Sequence, residues 1–118
     1  MTDFGLMVDH DTDHANVVVS GELDMYTAPR LRQELVGLVS QGTRRVTVDL
    51  AAVNFVDSTA LGVLVGGLKR LRQLNGDLTL KSPSARTLRV LELTGLTKVF
   101  TVTCLPTAAS TDGSAAVG

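Results

Sequence analysis

Asp57-Ser58-Thr59 is the stretch of this chain whose residue types and position are best suited to chemistry. It follows the apolar run Val53-Asn54-Phe55-Val56. It precedes Leu61, Leu64, Val65, Leu68 and Leu71, whose spacing is that of a helix with one apolar face. Asp57 therefore reads as an N-cap and Ser58 as the first helical residue. At that position a hydroxyl stands among free amides at the positive end of the helix dipole. The fold would tolerate a phosphate there. It would add a charge of about −1.5 to −2 beside Asp57. A partner fitted to the neutral hydroxyl would meet repulsion and a desolvation cost. Asp and Ser are also common helix caps, and the local residues by themselves leave a purely capping role open.

Other chemistries find less support. A nucleophilic Ser58 needs a base nearby. The only histidines, His10 and His14, fall in a turn at the far end of the strand that leads to Asp24. Asp11 and Asp13 complete a cluster with them that reads as a solvated hairpin tip before it reads as a metal site. Asp24 and Asp57 as paired carboxylates lack the aromatic platforms of a sugar site. Gly66-Gly67-Leu68-Lys69 lies inside a helical pattern and lacks the spacing of a phosphate loop. Lys69, Arg70 and Arg72 read as a solvated face near a helix C-terminus. Cys104, the single cysteine, excludes an internal disulfide, fits a reducing compartment and is expected to be partly buried.

The elements that must position Ser58 follow from periodicity. Phe4, Leu6 and Val8 alternate as a strand. His10 to His14 is a turn, and Val17-Val18-Val19 returns as an antiparallel strand. Thr27 is expected to cap a helix with Pro29 in its first turn, its inner face formed by Ala28, Leu31, Leu35, Leu38 and Val39 and its end marked by Gly42. Val46, Val48 and Leu50 alternate with Thr47 and Asp49, which gives a strand with one dry and one wet face. The helix after Ser58 contains Gly62, Gly66 and Gly67, which suggests close backbone packing against the sheet. Asn75-Gly76 stops it, and Leu78 and Leu80 mark a fourth strand. Ser82-Pro83 is expected to open a third helix with Leu88 and Leu91 inward. Gly95-Leu96 should close it through a left-handed cap, and Val99, Phe100 and Val102 should form the last strand.

The pattern is ββαβαβαβ. It implies a two-layer α/β domain with a mixed, mostly parallel sheet and helices on one face. Ligands of such sheets gather at the carboxyl ends of the strands, where the loops holding Asp24 and Asp57-Ser58 should meet. At 118 residues the chain is long enough for one core. We expect a single domain over residues 1–106 and a flexible tail over 107–118. A formal net charge of −1 gives no pull toward nucleic acid or an acidic membrane, and 3% aromatics is too few for a base-stacking platform. No leader and no span long enough for a bilayer is visible, so a soluble cytoplasmic protein is expected.

A resemblance sharpens this reading. Gly21-Glu22-Leu23-Asp24, Thr27-Ala28-Pro29, Val48-Asp49-Leu50 and Phe55-Val56-Asp57-Ser58-Thr59-Ala60-Leu61-Gly62 resemble the signature of the STAS family. More narrowly, they resemble bacterial anti-sigma-factor antagonists. The run from Leu61 to Arg70, and Thr94 to Phe100, resemble actinobacterial members. The resemblance implies that Ser58 is phosphorylated by an anti-sigma factor with serine kinase activity. It implies that the unphosphorylated form binds this partner and frees a sigma factor, and that a serine phosphatase restores binding. Asp24, Asp57, Ser58, Thr59 and Gly62 would face the partner. No cofactor, no metal and no catalysis by the chain itself are implied. The alternative is an unphosphorylated scaffold subunit of a transport or stress-signalling complex. Ala60 departs from the glycine of many members, which would place one extra methyl beside the phosphorylation loop, able to tune partner choice.

Overall fold

The computed structural model describes residues 4–104. They form β1 (Gly5–His10), β2 (His14–Leu23), α1 (Ala28–Ser40), β3 (Arg45–Val56), α2 (Ser58–Gln73), β4 (Asp77–Lys81), α3 (Ala85–Leu93), a 3-10 turn (Leu96–Lys98) and β5 (Thr101–Thr103). The expected order ββαβαβαβ is the observed one, with the 3-10 turn added. The tail expected over 107–118 and its boundary at 106 lie outside the described residues.

The five strands lie in the order β1-β2-β3-β4-β5. β1 pairs antiparallel with β2, and every later pairing is parallel. Each parallel step is made by a helical crossover to the adjacent strand. Crossovers of one hand progressing in one direction put their helices on one face of the sheet. Burial agrees with this. Ala15, Val17, Val19, Val46, Val48, Leu50, Leu78 and Leu80 are buried, while Asn16, Val18, Thr47, Asp49, Thr79 and Lys81 between them stay partly open. The core is closed by Leu31, Leu35 and Leu38 of α1, by Leu61, Leu64, Leu68 and Leu71 of α2, and by Leu91 of α3.

Several local expectations are corrected. β3 is a single strand of 12 residues that runs past the Val46–Leu50 alternation to Val56. Its burial passes from every second residue to Leu50, Val53 and Val56. Its register against β2 shifts at Val18/Ser20 and again at Gly21/Glu22. Gly21 holds φ +91, which a side chain rarely adopts, and it bends β2 as it approaches Asp24. Helix α3 is capped by Ser84, whose Oγ accepts from the Thr87 amide, and not by Ser82. The Ser82 amide instead donates to Thr103 O beside the β4–β5 ladder. Val99 and Phe100 precede β5: Val99 closes the 3-10 turn, and Phe100 turns into the core. Gly95 has φ +75, as the left-handed cap requires. Cys104 is exposed rather than partly buried, because β5 and its pairing end at Thr103.

The glycines of α2 do not all do what their number suggested. A Cβ on Gly67 would lie 3.0 Å from Leu35 Cδ1 and 3.4 Å from Leu78 Cδ1, so this one does pack closely. At Gly62 and Gly66 nothing lies within 4 Å of such a Cβ. These two face outward and leave the helix backbone bare.

Candidate functional site

Two loops leave the carboxyl ends of β2 and β3, and the chain fastens them together. The Asp57 amide donates to Leu23 O at 3.1 Å, continuing the β2–β3 pairing past its last rung. The Asp57 carboxylate then works in two directions. Oδ1 accepts from the Ala60 amide at 2.9 Å and caps α2. Oδ2 accepts from the Met25 amide at 2.9 Å, in the other loop. One side chain thus starts the helix and holds the neighbouring loop to it.

The β2–α1 loop has its own lock. Asp24 Oδ1 accepts from the amides of Tyr26 and Thr27 at 2.9 and 3.1 Å. The Thr27 hydroxyl donates to Glu22 O at 2.8 Å and accepts from the Asp24 amide at 2.9 Å. Thr27 occupies the N-cap position of α1 but makes no side-chain cap bond there, contrary to expectation. Its hydroxyl serves the loop instead. Pro29, early in α1, has no amide to satisfy. Replacing Thr27 with the near-isosteric valine removes both hydroxyl bonds. We expect a loss of about 1 kcal/mol, or a fall of roughly 4–8 °C in Tm, in a thermal melt.

Ser58 sits between these locks. It is the first residue of α2, and both it and Thr59 are exposed. Gly62, one turn on, is exposed as well. Asp24 and Asp57 are half-buried. The five sequence-derived residues therefore fall at one end of the sheet, with Ser58, Thr59 and Gly62 open to a second protein. Ala60 is different. It is fully buried, and only its amide joins the site, through Asp57. Its methyl faces the core, so a direct contact with a partner is ruled out.

Sequence reasoning passed over three neighbours. Met25 is 57% exposed, Tyr26 80% and Phe55 43%, although they are large and apolar or aromatic. Met25 and Tyr26 belong to the loop tied to Asp57, and Phe55 lies two residues before it. In a chain with one tyrosine and three phenylalanines, two of the four aromatics frame this loop pair. Their apolar character in the chemically richest loop was the available signal.

The histidines stay apart. His14 opens β2 and Leu23 closes it, and ten extended residues span roughly 30 Å. His10 Nε2 lies 3.3 Å from Gln41 Oε1, and His14 Nε2 lies 3.1 Å from Thr47 Oγ1. Among the described residues, no three His, Cys, Asp or Glu side chains gather closely enough to hold a metal ion. No helix among them is long and apolar enough to cross a membrane. Lys69 and Arg70 are exposed, whereas Arg72 is engaged: it pairs with Asp77 at 3.2 Å and donates to Val99 O at 2.9 Å.

An exposed serine at the start of a capped helix, at the end of a one-sided sheet, is an arrangement to compare with known proteins. The family model described as "Mlab, STAS domain" matches residues 6–105. The chain belongs to the STAS family. The anti-sigma-B factor antagonist of Listeria monocytogenes is 42% identical over 95 residues, covering 80% of this chain and 82% of that protein. The crystal structure of an anti-sigma factor antagonist from Mycobacterium paratuberculosis matches with a TM-score of 0.78 and 30% identity, covering 92% of this chain and 90% of that one. SpoIIAA, an anti-sigma factor antagonist, shares the fold in its unphosphorylated form, with a TM-score of 0.76 and 18% identity over 92% of this chain and 96% of that one. Its phosphorylated form, from Bacillus, gives 0.69 and 19% over 83% and 90%. The Listeria relative, the Mycobacterium structure and unphosphorylated SpoIIAA are all named as anti-sigma factor antagonists.

Proposed function

We propose that this STAS domain is an anti-sigma-factor antagonist controlled at Ser58. The unphosphorylated chain binds an anti-sigma factor with serine kinase activity, and a sigma factor is released for transcription. The kinase then uses ATP to place a phosphate on Ser58, which ends binding, and a serine phosphatase reverses the step. Work of this kind belongs in the cytoplasm. The chain acts by binding and performs no catalysis of its own. Asp24, Asp57, Thr59 and Gly62 complete the partner-facing surface.

The observation that carries the reading is an exposed serine at the first position of a capped helix, on loops held rigid by Asp57. The hydroxyl is within reach of a kinase, and a phosphate there meets the positive end of α2. The family relatives named as antagonists support the regulatory role. The same fold also exists in phosphorylated and unphosphorylated states of one protein. Incubation with an anti-sigma kinase and ATP should add one phosphate, located on Ser58 by mass spectrometry and absent from Ser58→Ala. Phosphate appearing elsewhere, or none at all, would remove the proposal.

The exposed rim gives a second measurable consequence. Exposed aromatics at an interface centre often dominate affinity. Tyr26→Ala should weaken kinase binding about 5–30-fold by calorimetry, in line with a hot-spot truncation of roughly 1–2 kcal/mol. Folding stability should stay within about 0.5 kcal/mol, because the side chain is mostly in water already.

A further inference from the structure

We infer that the groove between α1 and α2 is a second part of the docking surface, seating an amphipathic helix of the partner kinase that carries acidic residues. The inference rests on the antagonist reading above and extends it along α2 from the Ser58 end.

The groove has a volume of about 390 Å³. On α1 it is lined by Arg32, Leu35, Val36 and Val39, a spacing that keeps them on one helical face. On α2 its wall is formed in part by Gly62 and Gly66, where a Cβ would meet nothing within 4 Å. Bare backbone on one wall and branched apolar side chains on the other make a trough rather than a flat surface. Val36 is 56% exposed in it. The lining extends along α2 from Thr59 to Leu71, roughly 18 Å of helix. Three turns of a partner helix fit that length.

Two features select the occupant. The groove begins at Thr59, next to Ser58, so a protein docked on the hydroxyl meets it without a break. Its lining includes two cations, Arg32 and Arg70, and no carboxylate. A second copy of this chain packed through the same face would bring two groove linings that carry cations and no carboxylate together, which opposes association. A helix with apolar residues at three- and four-residue spacing and flanking Asp or Glu satisfies both the trough and the charges. Long contact here would give the complex affinity, while the Ser58 loop at its end supplies the on–off decision.

Gly66→Leu tests this cleanly. Glycine is a poor helix-interior residue and leucine a good one, so the substitution should preserve or raise Tm while filling the trough. Binding of the purified kinase to unphosphorylated protein should weaken at least tenfold by calorimetry. Arg32→Glu with Arg70→Glu, a surface change, should weaken it comparably, with a loss that shrinks as salt rises. If both variants bind the kinase as the wild type does, the groove inference is wrong and the Ser58 reading survives. If the wild type binds no anti-sigma kinase, both readings fall. If sedimentation shows a wild-type dimer that Gly66→Leu abolishes, the occupant is a second copy and the inference is overturned.

Discussion

Ser58→Asp is expected to weaken binding to the anti-sigma kinase at least tenfold while the domain stays folded. The reason lies in where the charge is placed. A carboxylate at the first residue of α2 interacts favourably with the helix dipole, by roughly 0.3–1 kcal/mol. Tm should therefore hold steady or rise slightly. The same carboxylate stands beside Asp57 on an exposed loop. A partner surface formed around a neutral hydroxyl must then desolvate a charge it does not match. Burying an unmatched charge costs more than the small stabilisation gained within the domain. A phosphate carries more charge than Asp, about −1.5 to −2, and should act more strongly. Ser58→Ala removes only the hydroxyl. It should bind nearly as well as the wild type and resist the kinase. Calorimetry on the three proteins, with thermal melts alongside, checks the whole argument. Equal affinity before and after stoichiometric phosphorylation would sink it.

The proposed switch would ask for rigidity around Ser58. On the proposed reading a phosphate on Ser58 would add charge at a helix start that tolerates it, and the partner would read that charge. The bonds at Asp57 and Thr27 supply that rigidity. They fix both loops to the sheet's end, one through a cap and one through a turn. Met25, Tyr26 and Phe55 are held outward as a consequence, because the backbone that carries them is already committed to hydrogen bonds elsewhere.

The fold was legible in the sequence wherever burial is strictly periodic. Val46, Val48 and Leu50 announced β3 because one face is dry, and Leu61 to Leu71 announced α2 because its inner stripe is unbroken. It was illegible where backbone geometry, not burial, decides. The shifts in β2–β3 register change the period after Leu50 and hide the second half of β3. From sequence the α3 cap falls at Ser82, and the Ser84 Oγ bond to the Thr87 amide, with the Ser82 amide committed to Thr103 O, moves it two residues on. At the site, the Asp57 cap and the exposed start of α2 were readable from residue types. The bond from Asp57 to Met25 was not, since it spans 32 residues and depends on the strands being parallel neighbours. Gly62 and Gly66 misled because a mid-helix glycine marks either close packing or an open groove, and sequence does not separate the two.

Asp57 should prove the residue on which stability and binding depend together. In Asp57→Ala both carboxylate bonds vanish. Loss of an N-cap costs typically about 1 kcal/mol, and up to roughly 2. Freeing the Met25 amide adds about 0.5–1.5 kcal/mol, less where water can replace the carboxylate. A total near 2 kcal/mol is expected by denaturant titration, large against the stability of a domain this size. Asp57→Asn separates the two tasks. Asn caps nearly as well as Asp, so the Ala60 bond should persist. With its Oδ1 kept in the cap, its Nδ2 amino group would face the Met25 N–H donor against donor, so the tie between loops should break. This variant should lose under about 1.5 kcal/mol of stability, yet amide hydrogen exchange should quicken at Met25 and Tyr26. If the tie is what presents the rim, kinase affinity should fall in Asp57→Asn out of proportion to its stability. If affinity is unchanged while exchange quickens, the link from Asp57 to the docking surface is wrong. The negative charge of Asp57 would then be dispensable in the unphosphorylated complex as well.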